Sequence, residues 1–480
     1  MHELTRLIRE DMKPALGVTE PGAIAFAAAT AREHLGGEVE HVYLRLNSGM
    51  FKNAFTCGIP GSDEVGNYHA AALGAVAADA RKGLECLEGI TPEEERKARE
   101  MVESGRVSVD MSEISSRIFI EVKVAGGGSE ATVTIRDSHM NVVEITENGK
   151  VVYSKEARQE DKQAGKRADG ETKRDEESES GRSAGCKSGQ SAEYESGQSA
   201  KAELEQSAEG ESSRPADKAD EVCLIHRYTL RQLYDYVREV PVEEIAFIDK
   251  AFDMNWELLE EGLHSAKTTY GPYLFRKNGG KIISEDERLT ASLLCNGAIE
   301  ARVLGLSKPA MSITGSGAHG IIATMPLYGA CMVNGYPREA LLRATALSYL
   351  VCMYIKEYSG KLSAFCGCAI AAGTGMACGL VFLRGGSVEM MEKTISNMAS
   401  SITGMICDGG NQGCTMKGIV AVDAAYESVE LAMNGIFISN VHGINGGTPE
   451  KTMEHMGRIA SPGMVGTEKT IVEILEEKRR

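Results

Sequence analysis

Residues 117–153 read RIFIEVKVAGGGSEATVTIRDSHMNVVEITENGKVVY. Across Arg117–Ala125, Glu130–Asp137 and Asn141–Thr146, apolar side chains return at every second position, the period of a strand with one buried face. Asn148-Gly149 supplies the two positive-φ positions of a type I′ hairpin leading into Val151–Tyr153. Connections this short join antiparallel neighbours, so the expectation here is an antiparallel sheet with one wet face.

Working outward, the pattern changes on both sides. His41–Leu46 (HVYLRL) alternates as a further strand. Leu4–Leu35 carries helical spacing that is expected to break at Pro14 and Pro21. Thr91-Pro92-Glu93-Glu94 reads as a helix start, with Thr as N-cap, Pro in the first turn and Glu closing a capping box. Downstream, Thr229–Val240, Val242–Gly262, Glu285–Leu304, Pro337–Tyr358, Val388–Ser401 and Asp423–Met433 follow the 3.6-residue period. Between these halves lies Ser154–Glu221, with 12 Lys/Arg, 18 Asp/Glu, two copies of SGQSA and almost no large apolar side chain. Such a segment cannot bury enough apolar area to offset its ordering entropy. The organisation expected is an N-terminal α+β part over residues 1–153, a disordered charged insertion over 154–221 and a helical part over 222–480. The class is α+β: a mainly helical body with an antiparallel sheet in its N-terminal part.

Composition narrows function. The chain has 480 residues and a formal net charge of −17, which repels phosphate backbones and anionic membrane surfaces and argues against nucleic-acid and membrane partners. Met1–Pro14 is charged throughout and lacks the apolar core of an export signal, so a cytoplasmic, reducing location is expected. There, 12 cysteines read as metal ligands, reactive thiols or small apolar residues rather than as disulfides. Ser363–Leu383 is uncharged and long enough to span a membrane, but its Ala, Gly, Cys and Thr content suits a tightly packed core. Helices so rich in small residues suit a homo-oligomeric face equally well. Gly315–Gly320 (GSGAHG) has G-x-G-x-x-G spacing but follows no strand read from the sequence, and G-x-x-x-x-G-K-[ST] does not occur, so nucleotide-binding loops are not expected.

Three constellations carry candidate chemistry. Ile406–Cys414 (ICDGGNQGC) places Cys407 and Cys414 on either side of a Gly-rich loop, and Cys366 lies in a second Gly/Ala-rich segment with Cys368 two residues on. Gly-rich backbone folds closely around a metal or cluster and points amide N–H groups at sulfur; the alternative is that these thiols are ordinary buried side chains. Zinc structural sites prefer closer Cys pairs. Thr314–Gly320 (TGSGAHG) puts Ser316 and His319 at a helix start, a cradle for a carboxylate or a plain capped turn. Near the N-terminus, KPALGVTEP (Lys13–Pro21) holds Glu20 on a rigid turn, Phe51-Lys52-Asn53 offers a cation and an amide for a substrate, and Cys57 follows in a Gly/Pro loop.

At these residues the sequence resembles the L-cysteine desulfidase family, related to the alpha subunit of bacterial iron–sulfur L-serine dehydratases. The stretches that carry the resemblance are Lys13–Pro21, FKNAFTCGIPG (Phe51–Gly61), AAALGA (Ala70–Ala75), TGSGAHGIIATMP (Thr314–Pro326), LSAFC (Leu362–Cys366) and GMICDGGNQGCTMK (Gly404–Lys417). The resemblance implies a cytoplasmic lyase with a [4Fe–4S] cluster held by Cys366, Cys407 and Cys414, with Cys368 excluded. It implies α,β-elimination from a small amino-acid substrate, L-cysteine or L-serine. One departure matters: the family motif has Cys, a candidate catalytic base, where this chain has Val18. Cys57 is the expected substitute, supplying a thiolate into the space beside Val18, with His319, Glu20 and His69 as further candidates. Lys52, Asn53 and Ser316 are the expected substrate contacts. The alternatives are a non-catalytic iron–sulfur sensor and a hydro-lyase acting on another small hydroxy acid.

Overall fold

The computed structural model describes residues 1–155, 223–360 and 362–478. Met1–Lys155 and Leu224–Arg480 belong to one compact unit. The insertion reading for 154–221 lies outside the described residues beyond Lys155.

The alternating stretch forms the expected strands. β1 (Lys13–Leu16), β2 (His41–Leu46), β3 (Val107–Met111), β4 (Phe119–Gly126), β5 (Ser129–Arg136), β6 (Val142–Glu147), β7 (Lys150–Ser154) and β8 (Pro309–Ser312) build two sheets. The larger has strand order β3-β2-β4-β5-β6-β7. Asn148 and Gly149 take φ of 49° and 76°, so the hairpin between β6 and β7 turns as its sequence demands. Along β4 the residues facing inward (Ile120, Val122, Val124) are fully buried. They pack on the Thr19–Leu35 helix.

The sheet departs from the expectation at one pair. β3 runs parallel to β2, whereas every other ladder is antiparallel. Parallel neighbours need a crossover, and the chain between β2 and β3 supplies one through the helices Ser48–Asn53, Gly66–Val76 and Pro92–Glu103. The last of these starts with the capping box read from sequence: Thr91 Oγ1 accepts from Glu94 N–H and Glu94 reaches back to Thr91 N–H. A second departure concerns Pro21. It does not break a helix, because it sits in the first turn of Thr19–Leu35, where a missing N–H costs nothing. The break falls earlier, at β1 and at Gly17, whose φ is +59°.

The helical body is built from close crossings of small-residue faces. Ser363–Leu383 folds into a π-helical turn, Cys368–Ala372, followed by the Gly373–Leu383 helix, whose residues are buried throughout apart from Phe382. It crosses the Arg338–Ser359 helix so tightly that a Cβ on Gly375 would stand 2.2 Å from Ser348 O. Among the described residues, no helix is long and apolar enough to cross a membrane.

β1 pairs antiparallel with β8, with Lys13 opposite Ser312. The Ser312 hydroxyl donates to Lys13 O over 2.6 Å. This two-stranded sheet ties the Lys13–Pro21 motif to the turn that begins Thr314–Gly320, and so brings the N-terminal and Thr314–Gly320 constellations to one place.

Candidate functional site

Cys366 and Cys407 are positioned by a short antiparallel bridge. Phe365 pairs with Ile406, Cys366 N–H donates to Met405 O over 3.0 Å, and Cys407 N–H donates to Ala364 O over 2.6 Å. The loop then turns through Gly409 at φ +116°, where any Cβ would stand 2.4 Å from Lys52 O. Gly410 N–H donates to Asn53 O over 3.1 Å. The helix expected to begin at Asp423 begins at Gly413 instead, because Asn411 Oδ1 accepts the Gly413 N–H over 2.8 Å and opens the helix ten residues early. Cys414 therefore sits in a helical first turn, where the dipole favours a thiolate.

The three thiols are free and share one electrostatic environment. Burial raises the Cys414 thiol to about 12, and the charges of Cys407 and Cys366 push the same way. A hydrogen bond from the Cys368 thiol draws Cys366 down, and Cys368 is driven well up in turn by giving that bond. Among the described residues, no three His, Cys, Asp or Glu side chains lie close enough to hold one metal ion. Thiolates of a four-iron cluster each take a different iron and stand further apart than the ligands of a single ion. Cys414 feels the charges of Cys407 and Cys366, and three soft sulfurs within Gly-rich backbone are a donor set that suits an iron–sulfur cluster.

Three cations lie near the thiols, Lys52 and Lys356 buried and Lys417 half-buried. Lys52 is 1% exposed. Its Nζ donates to Cys407 O over 2.8 Å and Ser363 O over 3.1 Å, and pairs with Glu468 at 3.2 Å. Burial lowers its pKa, but Cys407, Glu468 and Glu20 together outweigh that and leave it raised. Its donors are thus directed at the protein, clamping the cysteine loop to the Val465–Glu477 helix. Lys356 donates to Gly360 O over 2.7 Å; burial lowers its pKa, against the pull of Cys352, Cys368, Cys407 and Cys366. Lys417 pairs with Asp408 inside the cysteine loop. A cleft lined among others by Ser115, Ser363, Ala364 and Glu468 borders this region.

The N-terminal candidates converge on the same loop. Asn53 Nδ2 donates to Glu20 Oε1 over 2.9 Å, while Asn53 Oδ1 faces Cys407 Sγ at 4.0 Å. Val18 is buried, and its methyls would lie 2.8 and 3.2 Å from a Cβ on Gly410, so the side chain fills the space against the cysteine loop. Cys57 is fully buried. Burial pushes its thiol well up, Glu20 adds to this, and Arg302 opposes it. His69 stands apart, paired with Glu64 at 3.1 Å.

His319 lies in the first turn of the Gly317–Asn334 helix, which Ser316 starts without a side-chain capping bond. Thr314 and Gly315 both take left-handed backbone, φ 50° and 75°. That is a strained conformation for a β-branched residue. The Thr314 hydroxyl donates to Ile313 O, so it accepts from His319 Nδ1 at 2.5 Å. The lone pair is left on Nε2, which would stand 2.7 Å from a Cβ on Gly367, between Cys366 and Cys368. Burial holds the His319 pKa well below the ordinary histidine range, and Lys356 and Arg302 reinforce it.

The pattern missed several residues of this neighbourhood: Arg302, Lys356, Lys417 and Glu468. Each is a charged residue within a helix, a position that sequence alone does not tell from a surface contact. For Arg302 a signal was present, since Glu300 and Arg302 are the only charges between Cys295 and Leu306.

These features define an α+β protein whose helical body encloses a thiol-rich site next to a glycine-rich helix start. The chain belongs to the serine dehydratase alpha chain family, whose model matches residues 81–473. Its relatives include UPF0597 proteins of Clostridium botulinum (strain Okra / Type B1), 37% identical over 99% of both chains. Others come from Caldanaerobacter subterraneus, 33% identical over 99% of this chain and 98% of the relative, and from Methanocella arvoryzae, 30% identical over 98% and 97%.

Proposed function

We propose that the protein is an iron–sulfur-dependent lyase that eliminates the β-substituent of a small L-amino acid. L-cysteine would yield pyruvate, ammonia and sulfide; L-serine would yield pyruvate and ammonia. The observation that carries this reading is the gathering of Cys366, Cys407 and Cys414 by one backbone bridge and one helix start, among the buried Lys52 and Lys356 and the half-buried Lys417. Family membership supports it. Three thiolates on four irons leave one iron to act as a Lewis acid when the cluster is bound.

The chain's own residues have these roles. His319 keeps a neutral imidazole with its lone pair on Nε2, which suits it to accept the Cα proton. The N–H groups that open the Gly317–Asn334 helix, with Ser316, face developing negative charge with fixed donors. Glu20 holds Asn53, and Asn53 holds the cysteine loop through Gly410. Cys57, with its thiol held protonated, shapes the wall near Arg302 and Glu20. The enamine product hydrolyses in water without help.

The test is anaerobic purification, iron and sulfide quantitation, and 2-oxo acid release from L-serine, L-cysteine and L-threonine. Release from one of them is expected. A filled cluster with no product from any would favour a second reading, a cluster-binding sensor. The observation behind that second reading is Val18, an untitratable side chain packed against Gly410 where the related motif has Cys.

A further inference from the structure

Arg302 is 5% exposed. Among the described residues its guanidinium makes no hydrogen bond or ion pair, and its Nε is buried without a partner. A buried cation without an anion is costly, and proteins rarely keep one. The nearby carboxylates are engaged elsewhere. Glu300, two residues earlier on the same helix, accepts from the Thr269, Tyr270 and Gly271 N–H groups and from Gln412. Glu20 accepts from Asn53. The buried thiol of Cys57 and the imidazole of His319 both feel the Arg302 charge. Neither offers it a permanent negative charge.

The guanidinium lies against the start of a helix 18 residues long. Its Nε would stand 2.6 Å from a Cβ on Gly317, so only glycine admits it there. The Gly317, Ala318 and His319 N–H groups open that helix and have no intrahelical partner. A planar fork of donors and a helix N-terminus therefore meet beside the Gly315–Gly317 turn, and both favour an anion with two coplanar oxygens.

We propose that Arg302, with the N–H groups of Gly317–His319, forms the subsite that binds the carboxylate of a small amino or hydroxy acid. Its role as a substrate subsite rests on the lyase reading above; its role as a carboxylate site does not. The assignment moves the carboxylate away from Lys52, whose ammonium is directed at Cys407 O, Ser363 O and Glu468. It also sets His319 beside the bound acid, since the same turn carries both.

The test uses anaerobically purified full-length protein. Thermal shift and equilibrium binding are measured with L-serine, L-lactate, L-serinamide and inorganic phosphate, on wild type, Arg302→Gln, Arg302→Lys and Gly317→Ala. L-Serine and L-lactate should stabilise wild type in a saturable way; L-serinamide and phosphate should not. Arg302→Gln should weaken carboxylate binding by about ten- to a hundredfold, the range of a charged hydrogen-bonded pair. Gly317→Ala should weaken it by pressing on Nε, and Arg302→Lys should recover only part. Without ligand, Arg302→Gln should melt no lower than wild type, because it removes an uncompensated charge. In turnover, the loss should fall mainly on KM. Equal carboxylate binding by wild type and Arg302→Gln, serinamide binding as well as serine, or phosphate as the preferred ligand would each overturn the proposal. Arg302-dependent binding without 2-oxo acid release would leave the subsite standing and remove the lyase reading. Release with an unchanged KM in Arg302→Gln would do the reverse.

Discussion

At the scale of single residues, burial decides which candidates are fit for chemistry. Cys57 and His319 are both buried, but burial acts oppositely on them: it keeps the thiol protonated and the imidazole neutral. A neutral imidazole is already a base, whereas a protonated thiol must first lose its proton. His319→Gln is therefore expected to lower kcat by about 10²–10⁴, the usual worth of a positioned general base. Cys57→Ser should keep turnover within about threefold, read in the same 2-oxo acid assay; loss as deep as that of His319→Gln would restore Cys57 as the base. Lys52 illustrates a different limit. It is fully buried and paired with buried Glu468, so Lys52→Met strands a carboxylate and should cost about 3–5 kcal/mol in urea unfolding. The double variant with Glu468→Gln should recover most of that. If Lys52→Met alone were neutral, the clamp assigned to it would be absent. The motifs made the cysteines legible because their spacing and glycines are local. Arg302 was not legible, because what singles it out is the lack of a partner, and partners are a property of the fold.

At the scale of elements, the cysteine loop works through backbone conformation. Gly409 has φ +116° and touches Lys52 O, so Gly409→Ala is strained on both counts. We expect it to lower stability by more than ~1 kcal/mol and to reduce iron retention; full iron content in a stable Gly409→Ala protein would contradict the loop's role. Thr91→Ala, which removes a complete capping box far from the cysteines, should cost about 1 kcal/mol and leave iron content unchanged. The hairpin strands were legible because their alternation and Asn-Gly turn are local signals. β1 and β8 were not: each has four residues, and their partners lie 299 positions apart in sequence, so no window contains both. β3 escaped for a related reason, since its parallel partner is reached only through three intervening helices. The early start of the Gly413–Met433 helix depends on the Asn411 side chain, a signal that the Gly-rich composition of the loop masked.

At the scale of the whole molecule, the residues on either side of 156–222 join in one compact unit, and every group assigned to the site comes from those flanks. Replacing 156–222 by a flexible Gly/Ser linker should therefore leave iron content and turnover unchanged. Loss of both, in protein that still folds, would show that the segment contributes to the site. The central claim is that three separated cysteines hold one inorganic centre. It is tested most directly by iron and acid-labile sulfide quantitation, with visible absorption, on anaerobically purified wild type and on Cys366→Ser, Cys407→Ser, Cys414→Ser and Cys368→Ser. The account predicts about four irons and four sulfides per chain in wild type, loss of both in each of the first three variants, and near-normal content in Cys368→Ser. Wild-type protein without iron and sulfide, or a triple variant of residues 366, 407 and 414 that retains them, would contradict it.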